Sequence, residues 1–132
     1  MRKPTDYIIK SHKLILPIHL NDNQSLFGGQ IMQWIDEIAY ITACKYTSQK
    51  MVTVSIEKVK FIHAIKCGDI IEIISNVIDC SLMKLKIEVN IYILNKKIKQ
   101  KAVSSLLYFA AIDKNNKAIL ISKKNVYQDI LT

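Results

Sequence analysis

The spacing of apolar positions changes twice along this chain. Residues 1–12 are polar and read as a loosely held start. Leu14 to Ile18 is a short apolar run broken by Pro17. Proline cannot donate to a ladder, so the run reads as an edge strand. His19 to Ser25 is rich in Asn and Asp and reads as a loop. From Phe27-Gly28-Gly29 to Tyr46 or Thr47 the spacing predicts one long helix. Ile31, Ile35, Ile38, Ala39, Thr42, Ala43 and Tyr46 share a face, and Met32, Trp34 and Ile41 fill much of the rest. A surface helix would instead carry one apolar stripe opposite a charged face.

After the helix the period becomes two. Val52, Val54 and Ile56 alternate with Thr53, Ser55 and Glu57, and the phase then slips to Val59 and Phe61, which predicts a bulge near Lys58. Lys66 to Asp69 reads as a turn. Ile70 to Ile78 reads as a strand ended by Asp79-Cys80-Ser81. Met83 to Ile93 alternates with Lys84, Lys86, Glu88, Asn90 and Tyr92, the pattern of a strand with one buried face. Asn95-Lys96-Lys97 turns the chain into a long strand from Lys99 to Ile112, apolar on both faces between Leu106 and Ala111. Asp113 to Lys117 is a polar turn, and the tail from Ser122 reads as peripheral. The result is one α+β domain over residues 1–132, its core at about residues 12–121, with short turns that imply antiparallel neighbours. One helix can cover such a sheet only if the sheet curls around it. The spare apolar face of the helix and the doubly apolar strand predict a homodimer at least.

Of the 132 residues, 50% are hydrophobic and 23% charged, which suits a globular domain with a single core. The net charge of +8 raises the question of an anionic partner. The lysines are scattered, Arg2 is the only arginine, and no basic stretch is interleaved with aromatics. This argues for a compositional bias and against nucleic-acid binding. No stretch approaches the roughly 20 apolar residues of a membrane helix, and the first residues lack the apolar run of a signal peptide. Cys44, Cys67 and Cys80 are far apart and odd in number, which fits reduced thiols in a cytoplasmic protein. His12, His19 and His63 form no metal-ligand or triad spacing with the acids or cysteines.

Asp36 is the candidate for chemistry. It sits in the middle of an apolar helix, where an unpaired acid is costly. An aspartate carboxylate is ionised at neutral pH, and partial burial suits it to act as a base. The plain alternative is a solvated or salt-bridged acid. Gly28 and Gly29 stand where the helix begins, so free backbone amides and the positive end of the helix dipole could hold a carbonyl oxygen as it gains charge. Equally, the pair could serve tight packing or turn geometry. Glu37 points about 100° away from Asp36 and reads as structural.

Asn21, Phe27-Gly28-Gly29, Ile35-Asp36-Glu37, Val52-Thr53-Val54-Ser55, Phe61 and Gly68-Asp69 fall in order over residues 12–113. In this the chain resembles the hotdog-fold acyl-CoA thioesterases, in particular the bacterial acyl-CoA hydrolases and their cytosolic animal relatives. The resemblance implies a curved antiparallel sheet of about five strands wrapped around one long central helix. It implies homodimers that often assemble into hexamers as trimers of dimers, with active sites at the dimer interface that draw on both subunits. It implies hydrolysis of acyl-CoA to a fatty acid and CoA, without a metal or redox cofactor. Carried over residue by residue, Asp36 would be the base or nucleophile, and Asn21 would position the water or the thioester carbonyl. Gly28 and Gly29 would form the oxyanion hole, and Thr53, Ser55, Lys58 and Ser81 would contact the substrate. The sequence departs from the family pattern at Gln24, where a Gly is usual, and at Ala64, where a Pro is usual. It departs again at Asp79-Cys80, which replaces a Gly and a basic residue. The changes at Gln24 and at Asp79-Cys80 motivate a rival reading, a non-catalytic acyl-CoA-binding hotdog protein that acts as a sensor or scaffold.

Overall fold

The helix anticipated from the apolar spacing runs over Gly28–Thr47 (α1) in the computed structural model, which describes residues 3–95 and 97–122. It starts without a side-chain cap at Phe27. It ends at Ser48, whose left-handed backbone (φ 54°) lets its N–H reach the Cys44 carbonyl at 2.9 Å. Ile31, Trp34, Ile35, Ile38, Ala39, Thr42, Ala43, Tyr46 and Thr47 are buried. Their three-and-four spacing makes one stripe facing the sheet. Trp34 therefore belongs to the buried stripe, whereas Tyr40 and Ile41 are exposed on the opposite side. Inside the stripe the Thr42 hydroxyl donates to the Ile38 carbonyl and meets Ser75 Oγ at 2.7 Å, which gives the helix a polar tie to the sheet.

The strands are Ile8–Leu14 (β1), Met51–Phe61 (β2), Ile70–Cys80 (β3), Leu85–Leu94 (β4), Lys99–Ile112 (β5) and Ala118–Ile119 (β6). They form one antiparallel sheet in the order β1-β3-β4-β5-β2, with β6 paired to the end of β5. In β4, Leu85, Ile87, Val89, Ile91 and Ile93 are buried, as their alternation predicts. The phase slip in β2 is a bulge: the pairing with β5 shifts between Glu57 and Lys60, and Lys58 has φ 51°. Helix and sheet enclose a core whose largest fully buried side chains include Phe109, Ile35, Ile73, Ile87 and Leu107. The arrangement is the hotdog architecture, a curled sheet around one long helix.

Three expectations need correction. The edge strand is Ile8–Leu14, earlier than the run from Leu14 to Ile18. Pro17–His19 is instead a single 3-10 turn, suited to the fixed φ of proline. Part of the segment read as loosely held is thus paired with β3, from Ile8↔Asn76 to Leu14↔Ile70. Second, β3 does not stop at Ile78: a shift between Val77 and Asp79 absorbs one residue, and pairing resumes at Asp79↔Lys86 and Cys80↔Leu85. Third, Met83 lies in the turn before β4 rather than in the strand. The tail beyond Ser122, and Lys96 in the turn after β4, lie outside the described residues.

Candidate active site

Asp36 lies half-buried at the border of the helix's buried stripe. The Thr53 hydroxyl, near the start of β2, donates to its Oδ1 at 2.8 Å. Among the described residues no basic side chain pairs with Asp36, so the salt-bridged alternative is not what the structure contains. Thr53 orients one oxygen, and among the described residues no hydrogen bond engages the other. Thr53, anticipated as a substrate contact, is therefore placed against the carboxylate itself.

Asn21 closes its own loop. Its Oδ1 accepts from Asn23 N (2.9 Å), Ser25 N (3.2 Å) and Ser25 Oγ (3.4 Å), and its backbone N–H donates to the Ser25 carbonyl at 2.8 Å. Two backbone donors on Oδ1 fix which way the amide points, so the side-chain NH2 is what Asn21 can offer a ligand. Gln24, in the position usual for Gly, has φ 62°, a left-handed backbone that costs a side-chain-bearing residue about 1–2 kcal/mol.

Gly28 and Gly29 are the first two residues of α1. The first amide of the helix with a backbone acceptor is that of Ile31, which donates to Phe27 O at 3.1 Å. Among the described residues, the amides of Gly28, Gly29 and Gln30 have none. A Cβ at Gly28 would meet nothing within 4 Å, so a ligand can approach its backbone closely. Gly28 borders a cavity of about 360 Å³ shared with Ser25, Leu26, Ile31 and the segment Phe61 to Ile65. Of that segment the sequence marked Phe61 as a match to the family pattern and Ala64 as a departure from it, without pointing to a cavity. The segment follows the bulge and carries no periodicity that would have pointed to one.

The remaining anticipated contacts are dispersed. Ser55 Oγ donates to the Glu57 carboxylate at 3.0 Å on the exposed part of β2. Lys58 and Lys60 border a second hollow of about 340 Å³ with Lys86, Glu88 and Ser104. The Ser81 hydroxyl is engaged in closing the turn before β4: it accepts from Met83 N and Lys84 N and bonds to the Lys84 carbonyl. The structure thus brings Asp36 together with Thr53, and Gly28 with the cavity. Among the described residues no hydrogen bond joins Asn21 to Asp36. Eight residues of helix separate Gly28 from Asp36, a rise of about 12 Å.

One charged group went unremarked in the sequence. Glu72 of β3 is only 9% exposed; it is bridged by Lys99 at 2.7 Å and by His12 Nε2 at 3.0 Å. The Lys99 hydrogen bond holds its carboxyl below the ordinary value against the opposing effect of burial. Burial raises the Tyr46 phenol and the Cys80 thiol, so neither is an activated nucleophile. Among the described residues no three His, Cys, Asp or Glu side chains gather within reach of one metal ion, and no helix is long and apolar enough to cross a membrane.

Comparison with known proteins fits this geometry. The Thioesterase superfamily model matches residues 23–98. An uncharacterised acyl-CoA thioester hydrolase of Buchnera aphidicola is 32% identical over 114 residues, covering 81% of this chain and 83% of that protein. An acyl-CoA hydrolase of Staphylococcus aureus, solved with butyryl coenzyme A, coenzyme A and coenzyme A disulfide, is 31% identical. The match covers 89% of this chain and 71% of that one, with a TM-score of 0.81. Variants of the same enzyme have been solved with an asparagine, an aspartate and a threonine changed to alanine, at successive separations of 15 and 17 residues. A hexameric broad-specificity acyl-coenzyme A thioesterase is 25% identical over 88% of this chain and 87% of that one, with a TM-score of 0.79. From a family match over more than half its length and a relative aligned over most of both chains, this protein belongs to the thioesterase superfamily.

Proposed function

We propose that the protein hydrolyses acyl-CoA thioesters to a free carboxylic acid and CoA, at a site built by two copies of the chain. The observation that carries this reading is the Asp36 carboxylate, held by the Thr53 hydroxyl at 2.8 Å on a mostly apolar helix. The separations of Asn21, Asp36 and Thr53, 15 and 17 residues, equal those of the three residues altered in the Staphylococcus aureus hydrolase. The relatives over most of the chain are acyl-CoA thioester hydrolases, which supports the same substrate class here.

Hydrolysis adds water across the acyl–sulfur bond. Asp36 takes a proton from water as the water oxygen attacks the thioester carbon, or attacks directly to give an acyl-enzyme that water then opens. The carbonyl oxygen becomes an oxyanion, held by the amides of Gly28 and Gly29 and by the NH2 of Asn21. Collapse expels the CoA thiolate, which takes up a proton. A carbonyl cannot touch Asp36 and Gly28 of one helix across about 12 Å. The site therefore combines Asp36 of one protomer with Gly28 and Asn21 of its partner. The exposed Tyr40 and Ile41 on the outer side of the helix supply apolar surface for that pairing, and β2 is a free sheet edge. Hexamers, as in a relative, are the assembly this reading favours.

The test is release of free thiol from butyryl-CoA by the wild type and by Asp36→Ala and Asp36→Asn. Both variants should stay folded and lose at least about a hundredfold in kcat. Retained turnover in both would remove Asp36 from the chemistry. Tight CoA-ester binding by a wild type that releases no thiol would favour the non-catalytic binding protein instead.

A further inference from the structure

The cavity at the start of the helix has a composition that bears on substrate choice. Leu26, Ile31, Phe61, Ile62, Ala64 and Ile65 give it mostly apolar walls, with Ser25, Gly28 and His63 completing the lining, and its volume is about 360 Å³. We propose that this cavity receives the acyl chain of the thioester, so that Ile62 and Ala64 help to set chain-length preference. The inference rests on the hydrolase reading above.

If the carbonyl oxygen is bound at the Gly28 amide, the two groups attached to that carbonyl leave in different directions. One is the hydrocarbon chain and the other the CoA arm, which carries amides and, further out, phosphates. Away from Gly28, several of the wall's backbone donors are already used: Leu26 N bonds Ile65 O at 2.7 Å, Ile62 N bonds Ala102 O at 2.7 Å, and His63 N bonds Ala102 O at 3.2 Å. An amide-bearing arm would find few partners there and would be desolvated at a cost. No lysine borders the cavity to meet a phosphate, whereas Lys58, Lys60 and Lys86 all border the other hollow. The hydrocarbon chain is the part of the substrate that such walls favour. A methylene takes up a volume close to the roughly 30 Å³ of a water molecule. The cavity thus has room for a chain of about eight to twelve carbons, and each methylene buried there should raise kcat/KM roughly three- to fourfold.

The test measures kcat/KM by thiol release for acetyl-, butyryl-, octanoyl- and decanoyl-CoA. The proteins are the wild type, Ala64→Phe and Ile62→Ala. Both positions are exposed in the chain, so the substitutions do not disturb the core. Ala64→Phe fills the cavity and should lower the octanoyl-to-acetyl ratio at least about tenfold. Ile62→Ala widens it and should move the preferred length upward; it stands alone as a test if the phenylalanine variant does not fold. An equal effect on all four esters would place the CoA arm in the cavity and overturn the proposal, as would unchanged ratios. A wild type that hydrolyses none of the four would overturn the hydrolase reading and this inference with it.

Discussion

Replacing Thr53 by Val separates two roles for that residue. The hydroxyl donates to Asp36 Oδ1 at 2.8 Å, and a hydrogen bond to an ionised group contributes about 1.5–3 kcal/mol. Both partners are half-buried, so solvent competes and the lower end applies. A loss of about 1.5 kcal/mol of orientation at the carboxylate corresponds to roughly a tenfold fall in kcat. Valine keeps the shape and the strand preference of threonine, so melting should change little. Thr53→Ser, which keeps the hydroxyl, should stay within about threefold of wild type. Steady-state thiol release, with kcat and KM resolved, decides between the roles. If Thr53 instead grips the CoA arm, Val raises KM at unchanged kcat. That result, or an equal loss in the serine variant, would refute the positioning role.

Two further outcomes follow from the geometry. Gly28→Pro removes one amide donor while keeping the helix. Proline is accepted at the first helical position, and Phe27 already has the extended backbone (φ −64°, ψ 130°) that a following proline requires. It should retain its fold by circular dichroism and lose about a hundredfold or more in kcat; near-normal turnover would take that amide out of the oxyanion hole. Lys99→Met leaves Glu72 with one bridging partner and should lower stability by about 1–2 kcal/mol at pH 7, discounted because Lys99 is half-exposed. Because Glu72 is held below its ordinary value, its contribution is present above the unfolded value and is lost as pH falls through the folded one. The gap between variant and wild type in thermal melts should therefore close in acid; a gap that widens there would contradict the pairing.

Much of the architecture was legible because the period of apolar residues reports directly on the element. The helix end near Thr47, the whole of β5 and the bulge at Lys58 all appear as changes of phase. β1 was not legible. Its residues alternate between half-buried and exposed, with Lys10, His12 and Lys13 among them, and it is held by partners about 60 residues away. β6 is two exposed residues recruited by the end of β5, too short for any pattern. Asp36 stood out because an acid in an apolar helix is unusual, whereas the hydroxyl that orients it is supplied by tertiary contact. Glu72 was hidden inside the apolar run of β3, since its neutralising partners come from β1 and β5. The shared site proposed above rests on the family resemblance and on the eight-residue helical separation of Gly28 and Asp36, both of them readable in the sequence.

The most direct test of that shared site uses two inactive proteins. Asn21→Ala and Asp36→Ala are purified separately, mixed at equal concentration, allowed to exchange subunits, and assayed for thiol release from butyryl-CoA. If Asn21 and Asp36 serve one site from different protomers, half of the dimers are mixed and each mixed dimer holds one intact site. Activity should then return to about a quarter of wild type. Activity that stays at the level of the separate variants, with subunit exchange verified, would contradict a site shared across the interface.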